Sequence, residues 1–369
     1  MIFLSFIAVL FLAFSNGAND NFKGVATLLG SGTLNYKKAI AWATFSTLLG
    51  SIASVFFAEV LLKNFSGKGL IDDALLYAPE FAVSVALGAA STVFLATRIG
   101  MPISTTHSLV GALSGVGIVA SRGDFNFTKL GSTFFVPLLV SPFIALAIAY
   151  LLYLVFSSLR LKMGVNKETC VCVGETIECN AQSHSLAMDA KKNVQIKINS
   201  SAVCKENYTG NFVGISAVFT LNLLHCLSAG VVSFSRGLND TPKMAGILLL
   251  ISTLNSSISI LAIAAFIAIG GILNAKKVAE TMSEKITKMN DGQGFTANLT
   301  TAILVSTASV HGLPASTTHV SVGALTGIGI ANKKANWKVI KEIALSWLLT
   351  LPSAALLSTM FYLFLKLML

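Results

Sequence analysis

Two polar runs stand out in a chain that is otherwise apolar. Ser104-Thr105-Thr106-His107 recurs as Ser316-Thr317-Thr318-His319, and aligning Ser104–Ile118 with Ser316–Ile330 at a shift of 212 matches 11 of 15 positions. Gly100 and Pro102 fall on Gly312 and Pro314. Proline suits the start of a helix, and Ser and Thr hydroxyls cap the free backbone N–H groups there. Each run therefore reads as a break that opens a new half-helix, with unpaired donors, a positive dipole end and three hydroxyls. That chemistry binds anions. Placed face to face, the runs 104–106 and 316–318 suit a tetrahedral oxyanion. The plainer alternative is that the hydroxyls bond back to helix carbonyls, as they often do in membrane helices. Duplication behind a proline favours the site.

A second pair of elements lies upstream of each run. Gly17-Ala18-Asn19-Asp20 answers Gly237-Leu238-Asn239-Asp240, with Lys23 on Lys243. A carboxylate at membrane depth is costly, by roughly 3 kcal/mol or more, so it has a partner or a role. Asn19, Asp20, Asn21, Asn239, Asp240 and Thr241 offer hard oxygens that suit Na⁺. Asp20 and Asp240 also suit a proton on the oxyanion. The structural alternative is that each acid simply pairs with Lys23 or Lys243. His107 and His319 are candidates for a proton relay or for helix packing. Asn222 and His225 lie one helical turn apart and suit bonds between helices. Gly111, Gly115, Gly323 and Gly327 allow close helix approach.

These elements need a membrane scaffold. Hydrophobic residues make up 54% of the chain and charged residues 11%, and the mean hydropathy is +0.76. Runs such as 134–156, 244–269 and 343–365 are long enough to cross a bilayer core of about 30 Å. The expectation is an all-α polytopic membrane protein of about 10–12 segments, with no cofactor and no nucleic-acid partner. About five stretches per half (roughly 1–31, 39–62, 81–98, 103–120 and 131–157, then 211–235, 244–270, 295–311, 315–331 and 339–368) predict two inverted-topology repeats. Broken helices or hairpins would then form a central site. The repeats are expected at 1–157 and 211–369. Residues 158–210 are polar and read as a tether between them, with four of the five cysteines at Cys170, Cys172, Cys179 and Cys204. Their spacing matches no paired zinc motif, so reduced, incidental thiols are expected. No cleavable leader is evident at the N-terminus. With both termini outside, eighteen Lys and Arg fall on inner segments and seven on outer ones. That places 158–210 in the cytoplasm.

The four elements, in this order and with a hydrophilic loop between the copies, closely resemble the inorganic phosphate transporter (PiT) family. The resemblance covers both halves. It implies phosphate import across the cell membrane by alternating access around a midplane site, coupled to Na⁺ with H⁺ as the alternative, a core built from the broken elements, and a scaffold able to form homodimers. Phosphate would sit on Ser104, Thr105, Thr106, Ser316, Thr317, Thr318, Asp20 and Asp240. A metal–phosphate complex and sulfate are the alternative cargoes. Sulfate has no proton to offer Asp20 or Asp240 at neutral pH, so phosphate is the better fit. The stretch Asn21-Phe22-Lys23-Gly24 is more basic than the family's usual small polar run, which bears on the coupling ion. An intramembrane hydrolase using Ser104 and His107 leaves the second copy unexplained. A cation channel through Asp20 and Asp240 conflicts with two positive helix ends.

Overall fold

The computed structural model describes residues 1–57, 59–178, 191–200, 202–203, 212–248 and 256–368. The first copy contributes α1 (Ile2–Asp20), α2 (Ala26–Gly30), α3 (Tyr36–Phe57), α4 (Pro79–Arg98), α5 (Thr105–Ala120) and α6 (Val136–Lys162). The second contributes α7 (Ala217–Leu248), α8 (Ser256–Asn274), α9 (Asp291–Val310), α10 (Thr317–Ala331) and α11 (Trp337–Met368). Among the described residues six helices are long and apolar enough to cross a membrane, or seven if α8 is joined to its bent continuation Lys276–Lys285. The protein is therefore a mostly helical, polytopic membrane protein. Its outward side chains match a lipid surroundings, with Phe3, Phe56, Phe143, Leu348 and Leu367 exposed.

By contact, Met1–Tyr153 and His225–Leu369 form one compact unit and Leu154–Leu224 another. In the first unit α1 packs on α4 and α8, and α11 packs on α5 and α4. The duplicated glycines explain how closely. A Cβ on Gly17 would lie 1.9 Å from the Ile267 carbonyl oxygen, and one on Gly237 would lie 2.2 Å from that of Thr47. Only hydrogen fits between those backbones. Gly111 and Gly115 abut the backbone of α11 at Leu351 and Ala355, while Gly323 and Gly327 abut α6 at Pro142 and Leu146. Each copy's small-residue face thus packs on the last long helix of the other copy.

The gap expected between 211–235 and 244–270 is absent, and α1 too is continuous through its polar run. The polar run at Ser15-Asn16-Gly17 does not interrupt α1, which continues to Asp20 before a turn at 21–25. In the second copy α7 runs unbroken through Asn239, Asp240 and Pro242 to Leu248. Polar residues are tolerated inside these helices because neighbouring elements take up their side chains. Asn16 bonds to Thr105 and Asn19 to Thr97.

Leu154–Leu224 holds more than a tether. Strands β1 (Thr169–Glu178), β2 (Lys191–Ser200) and β3 (Phe212–Ser216) form an antiparallel sheet in the order β2-β1-β3. Thr169 pairs with Ser200, and Cys170 with Ser216. Cys170 and Cys172 are both buried, and a strand's two-residue repeat puts them on one face. Cys170 is free, but Cys172 is disulfide-bonded, against the expectation of reduced thiols. Cys179 and Cys204 lie outside the described residues. Among those residues no group of three or more His, Cys, Asp or Glu is placed to hold a metal.

Candidate functional site

Each Ser-Thr-Thr run opens a helix, and the preceding chain shows why. At the end of α4, Gly100 takes φ 75° and its N–H bonds to the Thr97 carbonyl, while the Met101 N–H bonds to that of Ala96. At the end of α9, Gly312 takes φ 69°, its N–H bonds to Ser309, and the Leu313 N–H bonds to Ala308. This left-handed stop, which glycine adopts without strain, ends both helices in the same way. A short extended stretch follows. Ser104 and Ser316 then cap α5 and α10, their hydroxyls accepting the backbone N–H of His107 at 3.1 Å and of His319 at 3.2 Å. The N–H groups of Thr105, Thr106, Thr317 and Thr318 are in the first turn, where a helix supplies no partner.

The two tips meet. Thr106 Oγ1 donates to the Ala315 carbonyl at 3.2 Å, and Thr318 Oγ1 donates to that of Ile103 at 2.8 Å. Asn19 and Asn239 clamp them from the upstream elements. Asn19 Nδ2 donates to Thr97 Oγ1 and to the Met101 carbonyl, while its Oδ1 accepts the Ile103 N–H. Asn239 Nδ2 donates to the Ala315 carbonyl and its Oδ1 accepts from Ser309. Thr97 and Ser309 are themselves related by the shift of 212.

The two lysines complete the arrangement. Lys23 Nζ donates to Asn19 Oδ1 at 2.8 Å, Asp20 Oδ1 at 2.5 Å, the Ile103 carbonyl at 2.7 Å and Thr318 Oγ1 at 2.6 Å. Lys243 Nζ donates to Asp240 Oδ1 at 3.2 Å, the Ala315 carbonyl at 2.7 Å and Thr106 Oγ1 at 2.7 Å. Each lysine therefore joins its own aspartate to the other copy's tip threonine and a carbonyl of its own. Both ion pairs are buried. A buried pair holds only with good geometry and further hydrogen bonds to the remaining protons and lone pairs, which both have.

Sequence reasoning placed Asp20, Asp240, Asn19 and Asn239 here, and the structure brings them together with Thr105, Thr106 and Thr318. Thr105 Oγ1 donates to Asp20 Oδ2 at 3.0 Å. Thr317 is buried at the first position of α10. Asn21 and Thr241 turn elsewhere. Asn21 Nδ2 donates to Thr44, and Thr241 donates to Ser51 at 2.7 Å. His107 and His319 face each other, ring centroids 4.4 Å apart, with His319 also against Trp347 and the Leu138 carbonyl. No hydrogen bond joins either ring to Asp20 or Asp240 among the described residues, and Ser104 Oγ serves as a cap rather than a nucleophile. His225 does bridge helices, its Nε2 lying 3.0 Å from Thr27 Oγ1, whereas Asn222 Oδ1 is buried without a hydrogen-bond partner among the described residues.

Two residues of the cluster escaped the sequence reading. Asn16 Nδ2 lies within reach of Asp20 Oδ2, Thr105 Oγ1 and Asp240 Oδ2, at 3.1, 3.1 and 3.3 Å. Arg236 is buried, and its guanidinium donates to Asn16 Oδ1, Asn21 Oδ1 and Thr47 Oγ1. The signal was present, since the shift that aligns Asp20 with Asp240 also aligns Asn16 with Arg236. Arg236 and Lys243 were instead counted as outer-loop charges. They lie inside α7, which leaves Lys63, Lys68, Arg122, Lys129 and Lys366 on the outer side of the tally.

The chain resembles known proteins over nearly its whole length. The "Putative phosphate permease" of Pyrococcus abyssi is 27% identical over 97% of this chain and 96% of its own length. The "Probable low-affinity inorganic phosphate transporter" of Rhizobium meliloti is 27% identical over 96% and 93%. A solved structure, "The sodium-dependent phosphate transporter", superposes with a TM-score of 0.76 at 24% identity, covering 100% of this chain and 99% of that one. At that identity the likeness speaks for the fold. The model of the phosphate transporter family matches residues 16–358, a span that takes in both Asn-Asp elements and both Ser-Thr-Thr tips, and the chain belongs to that family.

Proposed function

We propose that this protein imports inorganic phosphate by alternating access around the two facing tips. The observation that carries the reading is the reciprocal crossing of Thr106 onto Ala315 and Thr318 onto Ile103, which sets two helix N-termini against one another. Phosphate would accept hydrogen bonds from the first-turn N–H groups, from the Thr317 hydroxyl, and from that of Thr105 once its proton turns from Asp20 Oδ2. Ser104 and Ser316 hold the tips in shape. The two copies would rock about this centre as inverted repeats. Uptake of labelled phosphate into proteoliposomes tests it, with an expected block by arsenate, which shares phosphate's shape and protonation. Stronger competition by sulfate overturns the substrate assignment.

The driving ion follows from which oxygens are free. Na⁺ was expected on Asn19, Asp20, Asn21, Asn239, Asp240 and Thr241. Of these, Asn19 Oδ1, Asp20 Oδ1 and Asp240 Oδ1 hold lysine ammoniums, and Thr241 bonds to Ser51. That occupancy favours proton coupling, with the proton carried on the phosphate itself. Imposing Na⁺ and proton gradients separately distinguishes the two, and uptake should follow the proton gradient.

The distribution of basic residues supports both termini outside. The disulfide at Cys172 supports the reverse, because such bonds persist in oxidising compartments. A reporter fused after Met163, read for cytoplasmic or external activity, decides between them.

A further inference from the structure

The two lysine ammoniums have the surroundings of coordinated cations. An ammonium has three protons to donate, yet Lys23 Nζ has four oxygens within 2.8 Å: a carboxylate, an amide carbonyl, a backbone carbonyl and a hydroxyl. Lys243 Nζ has the matching carboxylate, backbone carbonyl and hydroxyl. Hard cations take such all-oxygen shells. The shells are related by the internal duplication, and each draws ligands from both copies.

Charge supplies a second and independent argument. Among the described residues five Asp, Glu, Lys or Arg side chains are buried: Asp20, Lys23, Arg236, Asp240 and Lys243. All five belong to this one cluster. Three cations against two carboxylates leave one formal positive charge in a water-poor core. A singly charged oxyanion such as dihydrogen phosphate neutralises it. Adding Na⁺ to the same core would raise the excess, and uncompensated buried charge is strongly unfavourable.

We propose that Lys23 and Lys243 occupy the two cation seats of this site as tethered cations, so that phosphate binds with no Na⁺ in either seat. The proposal rests on the phosphate reading above, but its cation half is measured without phosphate. A lysine tethered to the chain cannot cross the membrane with its cargo. The seats thereby become fixed counter-charges and cease to be transport sites for a metal ion.

The test uses the purified full-length chain. Labelled phosphate binding is measured in choline chloride and in sodium chloride, and labelled Na⁺ binding is measured in the absence of phosphate. A Na⁺ whose binding is coupled to that of phosphate makes phosphate affinity depend on Na⁺. The expected result is phosphate affinity equal within about twofold in the two salts, and no saturable Na⁺ binding. Lys23→Asn and Lys243→Asn vacate one seat each. Each should lose phosphate affinity in choline by about tenfold or more, recover it in sodium, and gain saturable Na⁺ binding. Phosphate binding by the unaltered protein that requires Na⁺, or saturable Na⁺ binding to it, overturns the proposal and leaves the phosphate reading standing. No phosphate binding in either salt overturns the phosphate reading, while the Na⁺ measurement still reports on the seats. Should the variants fail to fold, the two measurements on the unaltered protein decide alone.

Discussion

The two copies match at their tips and differ beside them. Both present a capped helix start, a clamping asparagine and a lysine bound to an aspartate, the caps at near-equal distances and the ion pairs at 2.5 and 3.2 Å. Beside the aspartates the match fails, because Asn16 in the first copy corresponds to Arg236 in the second. Asn16 stays local and spans Asp20, Thr105 and Asp240. Arg236 reaches back into the first copy, to Asn16, Asn21 and Thr47. Duplication thus preserves what must be symmetric, the two seats and the two donors. The net charge of the core comes from a position where the copies differ.

The largest expected effect tests how equal the two ion pairs are. Asp20→Asn and Asp240→Asn each keep the shape and leave a buried lysine without its carboxylate, a loss of about 3–5 kcal/mol in stability. Asp20 should cost more, because it takes Lys23 at 2.5 Å and also the Thr105 hydroxyl, whereas Asp240 holds Lys243 at 3.2 Å. Thermal unfolding of both variants in one detergent measures the difference. Equal losses would mean that the second pair is as tight as the first.

Next come the glycines that bring the helices together. An added methyl on Gly17 or Gly237 meets a backbone oxygen, at 1.9 and 2.2 Å, and backbone cannot swing aside as a flexible side chain does. Gly17→Ala and Gly237→Ala should each cost about 1–3 kcal/mol or more, Gly17→Ala the greater. The same unfolding assay reads it, and neutral substitutions would show that α1 and α7 have room to part.

What the sequence made legible follows from what each residue does alone. Pro102, Gly100 and Ser104, with their partners 212 residues on, carry their local roles in their own chemistry, so the two helix starts could be read directly. The pairing of Asp20 with Lys23 was available too, as neighbours at helical spacing, but it stood as an alternative to a sodium site. Arg236 was legible only as the partner of Asn16 in the internal alignment, not in its role. Its meaning depends on α7 continuing through Asn239-Asp240, and continuity was hidden because Pro242 and the polar run suggest a break. Pro142 and Pro352 likewise lie inside helices. The sheet of Leu154–Leu224 was missed although its strands alternate, with Val171, Val173, Val194, Ile196, Ile198, Val213 and Ile215 on one face, because the charged and polar residues between them made the segment read as a tether. Its membership was settled by pairing rather than by composition.

A smaller effect should separate the two threonines that begin the helices. Thr105→Val and Thr317→Val each remove a donor to a charged acceptor, so phosphate binding should weaken by about 1–3 kcal/mol in each. Thr105 also supports Asp20 and Asn16 in the resting protein. Its valine variant should therefore lose stability as well as affinity, while the Thr317 variant loses mainly affinity. Calorimetry with phosphate, paired with unfolding measured without it, sets the two apart. Unchanged affinity in both variants would remove these hydroxyls from the site.

The smallest expected effect is also the strictest check on symmetry, because nothing distinguishes the two positions. Ser104 and Ser316 cap their helices with the same geometry, accepting from His107 at 3.1 Å and from His319 at 3.2 Å. The cap residues also share their backbone shape, φ −96° and ψ 113° against φ −99° and ψ 112°. Replacing a capping serine by alanine typically costs about 0.5–2 kcal/mol. Ser104→Ala and Ser316→Ala should therefore destabilise the protein by the same amount, and the double variant by their sum, since each cap acts within its own helix. A serine that also touches phosphate would show an added loss of affinity that its partner lacks. Equal stability losses with equal phosphate affinities would confine both serines to shaping the tips, leaving recognition to the first-turn N–H groups and the two threonines. Unequal stability losses would show that the break in symmetry at Arg236 reaches the helix starts themselves.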